Sequence, residues 1–166
     1  MPRKEILIYP EPELKNRADP IEKIDLEIVN LAHDMAQTMY KAPGVGLAAP
    51  QVGCTKRLIL VDPTAKKDSD SLLVVVNPVI IEREGLVEDS EMCLSVPEVS
   101  VDVKRAERIL VTGVNLEGKE IRIEAEGFLA RIFQHEIDHL DGKVILDYAS
   151  TLKRAIYLKK RKKGKI

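Results

Sequence analysis

Two histidines, a glutamate and a cysteine are the residues of this chain whose types and spacing offer chemistry. His135 and His139 stand four residues apart, either side of Glu136, in the run Gln134-His135-Glu136-Ile137-Asp138-His139. That spacing is close to one helical turn, so both imidazoles leave the same helix face and can grip one cation. The glutamate beside the first histidine can manage the proton of an ionised water. A catalytic centre of the zinc type takes three protein ligands and keeps one position open. Downstream there is little to supply the third. The metzincin spacing would need a histidine where Ile145 stands, no glutamate follows Glu136, and only Asp141 and Asp147 remain. His33 falls off the apolar stripe of another helix and reads as a surface histidine. Upstream, Cys93 fits. It lies in Glu91-Met92-Cys93-Leu94-Ser95-Val96-Pro97-Glu98, a polar loop leading into a strand. A thiolate with two imidazoles is a known catalytic ligand set for zinc and suits other divalent metals. Cys54 reads as a buried inert thiol, and a single Cys54–Cys93 disulfide would not be a framework.

The elements that must position these residues follow from periodicity. The H-E-x-x-H run belongs to a helix over about 127–140, with Gly142 as its C′ residue. Ile28, Leu31, Ala32, Met35 and Met39 recur at helical steps, so 26–41 is an amphipathic helix capped by Asp25 and ended before Pro43-Gly44. Strands are expected at 58–61, across 72–81 with an edge, bend or boundary at Asn77-Pro78, at 99–104, at 108–114 and at 121–125. Short strands are expected at Ile6-Leu7-Ile8 and Val144-Ile145-Leu146, and a polar loop at 64–70. Ser150 or Thr151 caps a last helix. Strands without β-α-β alternation predict an α+β fold, mainly antiparallel, packed around the helix that carries the motif. The run of small residues from Gly44 to Gly53 has no Gly-Lys-Ser/Thr ending and no strand before it, so it is a poor nucleotide loop. It is either a tight crossover or a place where backbone approaches a ligand closely.

The chain has 166 residues, 45% hydrophobic and 32% charged, an ordinary composition for one globular domain. No apolar run approaches the ~20 residues of a membrane span. The start has neither the apolar region of a signal peptide nor a transit peptide's composition, which predicts a cytosol or an equivalent compartment. The net charge of −1 is unevenly spread, with eight Lys or Arg and no acid from Ser150 onward. We divide the chain into a catalytic domain over 1–150 and a basic helix or tail of the same domain over 151–166. The tail could meet a polyanion or simply be solvated. Tyr157 is the tail's one aromatic residue, so base stacking is not indicated, and neither membrane nor DNA is expected as a partner.

Residues 44–51, 91–95 and 134–139 together resemble the three motifs of peptide deformylases, in the same order and over nearly the whole chain. The resemblance implies that Cys93, His135 and His139 hold one divalent ion, Fe²⁺ first, with Zn²⁺, Ni²⁺ or Co²⁺ as alternatives. It implies Glu136 as general acid and base, and Gln51 and the Leu94 N–H as donors to the formyl oxygen. Gly44, Val45 and Gly46 would border the substrate groove. The substrate would be the N-formyl-methionyl end of a new polypeptide, hydrolysed to formate and a free N-terminus in the bacterial cytosol or an organelle equivalent, with ribosomal RNA as a partner for the tail. A thiolate beside ferrous iron implies an oxidation liability. One residue departs from the family pattern. Met92 stands where it usually has glycine, which predicts backbone strain if φ is positive there, or crowding of the site. Glu91 is expected either to pair with Arg105 and brace the Cys93 loop or to stay unpaired. Asp138 is expected behind a ligand or facing solvent. Phe128 and Ile132 either line a methionine pocket or pack in the core, and Arg131 reaches substrate backbone or solvent. A peptidase with the same helix motif, and a silent relative that only binds chain ends or RNA, are the competing readings.

Overall fold

The computed structural model describes residues 4–65 and 70–165. Part of the expected 64–70 loop lies outside them. The elements run in the order α1 (Leu26–Lys41), β1 (Gly46–Ala48), β2 (Leu58–Val61), β3 (Leu73–Glu84), β4 (Val87–Cys93), β5 (Val96–Arg105), β6 (Arg108–Val114), β7 (Glu120–Glu126), α2 (Gly127–Leu140) and α3 (Thr151–Lys162). Short 3₁₀ turns are interspersed. All strand pairings are antiparallel. Five strands form one sheet in the order β1-β2-β3-β6-β7, and β4-β5 form a separate hairpin. The fold is α+β, as its sequence predicts.

The sheet is a wall between two helices, and β2 shows why. Its four residues Leu58-Ile59-Leu60-Val61 are all fully buried. Side chains alternate along a strand, so Leu58 and Leu60 join the α1 cluster with Met35 and Met39, while Ile59 and Val61 face α2 with Phe133 and Leu140. A third cluster sits under the β4-β5 hairpin and includes Tyr9, Val101, Leu146 and Tyr157. Helix α2 packs on the sheet through its apolar side, and its buried residues include polar ones, Gln134, Glu136 and His139.

Helix boundaries match expectation. The Asp25 carboxylate caps α1 by accepting from Ile28 N at 3.1 Å, and Ser150 caps α3 by accepting from Lys153 N. Gly142 follows α2 at φ 79°, and a Cβ there would lie 2.4 Å from the Lys15 carbonyl oxygen. Other expectations need correction. Ile6-Leu7-Ile8 is extended but joins no ladder. Instead, Leu7 N donates to Gln51 O and Tyr9 N to Ser95 O, at 2.7 and 2.8 Å, so the arm ties two loops together. Residues 144–146 form no strand; a 3₁₀ turn, Ile145–Tyr148, stands there. Its apolar residues are buried in the third cluster, which imitates a strand's composition. The strand over 72–81 passes through Asn77-Pro78 as one element with a bulge between Val76 and Val79 and Asn77 at φ 53°. The bulge is how an interior strand tolerates a proline that has no N–H.

Candidate active site

Cys93 is not in a loop. It ends β4, whose Glu88, Asp89 and Ser90 are exposed and polar, which disguises the strand in the sequence. The β4-β5 register slips between Glu91 and Cys93, and the extra residues lie on β5, where Glu98 takes φ 64°. This irregularity folds the hairpin end toward α2. There Cys93 Sγ lies 3.4 Å from His139 Nε2. The His135 and His139 rings meet edge to face with centroids 5.1 Å apart. One ligand atom from each of the three residues lies within 4.8 Å of the others. Their donor set, one sulfur and two imidazole nitrogens, suits a divalent transition metal. Two buried polar atoms here, Glu136 Oε1 and His139 Nδ1, have no hydrogen-bond partner among the described residues. One sulfur and two imidazoles gathered at one point, beside a buried carboxylate oxygen of Glu136 without a partner, fit a single cation.

Behind the ligands is a charged brace. Glu91, only 6% exposed, accepts two hydrogen bonds from Arg105, both at 2.9 Å. It also accepts from Arg131 Nη1 at 2.6 Å and lies 2.9 Å from His135 Nδ1. With Nδ1 thus engaged, His135 offers Nε2 to the cluster. Burial works against the Glu91 charge, but the Arg105 hydrogen bonds, helped by His135, outweigh it and bring the carboxyl to about 2. Arg105 Nη1 also donates to Asp138 at 2.6 Å, and the Tyr148 hydroxyl donates to the same carboxylate oxygen. The Arg105 guanidinium lies 5.0 Å from the Tyr148 ring centroid. Glu91 is therefore paired, and Asp138 stands behind the site rather than simply facing solvent. Arg131 borders the cleft, but its guanidinium is engaged by the hairpin, donating also to the carbonyls of Val103 and Val87 at 2.9 and 2.8 Å. It pins α2 to the hairpin.

The remaining expected residues converge on the same place. Gln51 lies in a 3₁₀ turn, Ala49–Val52. Its Oε1 accepts from Ala48 N at 2.9 Å, which leaves Nε2 facing Ser95 Oγ at 3.1 Å and Cys93 Sγ at 3.8 Å. Ser95 is fully buried, a contributor recognisable in the sequence only as part of the Cys-Leu-Ser run. Glu136 Oε2 lies 4.0 Å from His135 Nε2. Burial pushes the Glu136 carboxyl up to about 7 against the pull of His135. Burial also opposes charge on His135, but Glu136, Cys93 and Glu91 outweigh it and hold its pKa well above the usual histidine value. Burial, with the charge on His135, holds His139 well below that value.

A cleft of about 510 Å³ opens onto this cluster. Gly44, Val45 and Gly46 border one side, Met92 and Leu94 the other, with Phe128 and Ile132 from α2. Small residues are needed on the glycine side. A Cβ on Gly46 would lie 2.6 Å from Glu136 Oε2, and one on Gly44 2.9 Å from Leu94 Cδ1. Close approach accounts for Gly44 and Gly46, whereas Gly53 takes φ 84° at the end of its turn. Met92 neither strains nor crowds the site. Its φ is not among the positive ones, and its side chain is 70% exposed at the cleft mouth. His33 is exposed and remote from the cluster.

The family model for polypeptide deformylase matches residues 3–155. A peptide deformylase of Thermodesulfovibrio yellowstonii is 48% identical over 161 residues, spanning 97% of this chain and 98% of that protein. A crystal structure of peptide deformylase from Legionella pneumophila superposes with a TM-score of 0.92 at 42% identity, covering 99% of this chain and 96% of the other. One from Ehrlichia chaffeensis in complex with actinonin gives 0.91 at 37% identity, covering 99% and 98%. With nearly its full length matched, this chain belongs to the peptide deformylase family, metal-dependent hydrolases that remove the N-formyl group from nascent peptides.

Proposed function

We propose that Cys93, His135 and His139 hold one divalent metal, and that Glu136, Gln51 and Leu94 carry out the removal of formyl from formylmethionine at the start of new chains. The observation that carries this assignment is the meeting of three separate segments, at Gln51, Cys93 and α2, around one cluster of ligand atoms within 4.8 Å. Such an ion supplies, when bound, a Lewis acid and an ionisable water. Glu136 accepts the proton from the attacking water at its carboxylate and returns it to the leaving amine. Gln51 Nε2 and the Leu94 N–H donate to the developing oxyanion, and losing one such donor costs about 10²–10³ in rate.

The cleft also suits an extended peptide. It lies between β1, an edge of the larger sheet, and β4, which among the described residues pairs with β5 alone. An extended chain can add to either edge by backbone hydrogen bonds. Gly44, Val45 and Gly46 border that track, with Ile132 and Phe128 beside the methionine. Fe²⁺ is the ion we assign, and zinc, nickel or cobalt suit the same donors; metal analysis of anaerobically purified protein decides among them. We read 1–150 as the catalytic domain and 151–166 as its basic helix, and ribosomal RNA as that helix's partner. The place of action is then the bacterial cytosol or an organelle equivalent, where formylated chains are made. Among the described residues, no helix is long and apolar enough to cross a membrane.

Formate release from a formyl-Met peptide by metal-loaded protein, beside Glu136→Ala and an internal-peptide substrate, tests the assignment. We expect release from the formyl peptide alone and its loss in the variant. Undiminished release by Glu136→Ala would overturn the role given to that carboxylate.

A further inference from the structure

We propose that Met92 is a specificity-determining residue, whose side chain reads the residue following the formylmethionine. The inference rests on the deformylase reading and extends it along the substrate. Burial alternates along the end of β4: Glu91 and Cys93 are 6% and 8% exposed, and Met92 between them is 70% exposed. Met92 therefore projects from the face opposite the metal ligand. A peptide laid along the free edge of β4 alternates in the same way, and laterally paired residues share a face. With the first methionine's side chain directed to the inner face, toward Ile132 and His135, the second residue's side chain emerges on the face of Met92.

The chemistry at that position is also out of keeping with its surroundings. Glu88, Asp89 and Ser90 of the same strand are exposed and polar, as solvated strand positions commonly are. Met92 and Phe128, the latter 57% exposed, are the large apolar side chains left open to solvent at the cleft. Both lose solvent contact only when something covers them. Methionine is unbranched and polarisable, so it can mould to partners of different shape. Glu98, exposed and lining the same cleft, disfavours an acidic partner. The second substrate residue is thus selected to be apolar, with leucine, methionine or phenylalanine preferred over polar side chains of equal size.

The test compares formyl-Met-Leu-Ala with formyl-Met-Asn-Ala, in which the second residues are nearly equal in size. For the wild-type protein we expect kcat/KM to favour leucine by about four- to fifteenfold, the yield of covering one or two methylene equivalents. The difference should lie in KM, and the unformylated product peptides should bind the protein in the same order by calorimetry. Met92→Gly and the isosteric, polar Met92→Gln should bring the ratio near one, while Met92→Leu keeps it. Because the side chain is exposed, Met92→Gln keeps the test open should Met92→Gly fold poorly. An unchanged ratio in either folded variant overturns this inference. Absence of formate from every peptide with the wild-type protein would instead overturn the deformylase assignment on which it rests.

Discussion

Glu91 Oε1 lies 2.9 Å from His135 Nδ1, so the ring that offers Nε2 to the metal cluster is held from behind by a carboxylate on another strand. That carboxylate is also the shared anchor of Arg105 and Arg131. Removing it does two separable things. It frees the imidazole, and it leaves Arg105, 5% exposed, with one of its two carboxylate partners gone. Breaking one side of a buried pair costs about 3–5 kcal/mol, and losing a group that orients a ligand costs about 10–100-fold in metal affinity. Glu91→Ala should show both, in denaturant unfolding of metal-free protein and in chelator competition. Glu91→Gln, which preserves shape and part of the bonding, should fall between. Wild-type metal affinity in Glu91→Ala would show that the brace does not orient His135.

The same carboxylate sets a pH dependence of stability. Its ordinary pKa of 4.5 falls to about 2 in the folded protein. Between these values the unfolded chain takes up a proton that the folded chain refuses, so acid favours unfolding. The Glu91 contribution is fully present above 4.5 and is lost as pH falls through about 2. Denaturant unfolding of metal-free wild type and Glu91→Gln should therefore show a difference that shrinks as pH falls from about 4.5 to 2. A constant difference down to pH 2 would contradict this.

Gly46 is a second lever on the site, through space rather than charge. A methyl group there would press within 2.6 Å of Glu136 Oε2 and 2.9 Å of Ile132 Cγ2. Glu136 would have to move, and displacing a reacting group by about 1 Å costs on the order of 10²-fold in rate. Gly46→Ala should lower kcat by about that factor while metal content stays near that of the wild type. Wild-type kcat in this variant would show that the carboxylate has room to spare.

How far these residues can be read in the sequence depends on whether their signal is local. Helix α2, its Gly142 stop and the Asp25 cap of α1 are written in consecutive residues, and the structure has them where periodicity and capping chemistry put them. The α+β class follows from the same patterns. Strand β4 is hidden because Glu88, Asp89 and Ser90 face solvent, so no apolar alternation marks it. Arg131 is undecidable from the sequence, because spacing on α2 shows which side it leaves but not that Val87, Glu91 and Val103 wait there. Ser95 and the arm that ties it to Gln51 are long-range pairings with no sequence period at all. Met92 looks in the sequence like a backbone problem, whereas its φ leaves the backbone unstrained and its side chain is the informative part.

The basic helix α3 joins a structural half to a charged half, and the two should respond differently to mutation. Tyr157 is 1% exposed and donates to the Tyr9 carbonyl at 2.8 Å, which fastens the helix to the N-terminal arm. Lys159, Lys160, Lys162 and Lys163 are exposed. Truncating a buried aromatic costs about 3–5 kcal/mol, so Tyr157→Ala should lower stability by that order. Glutamine at all four lysines should leave it within about 1 kcal/mol, since exposed substitutions cost little. If the lysines bind ribosomal RNA, the glutamine variant should co-sediment less with ribosomes at low salt. It should also show a shallower dependence of binding on salt, by about 0.7–0.9 in logarithmic slope for each phosphate that is no longer neutralised. Identical sedimentation and slope would leave the charged half of α3 without a role in binding, while the Tyr157 result would still stand as a test of its role in the fold.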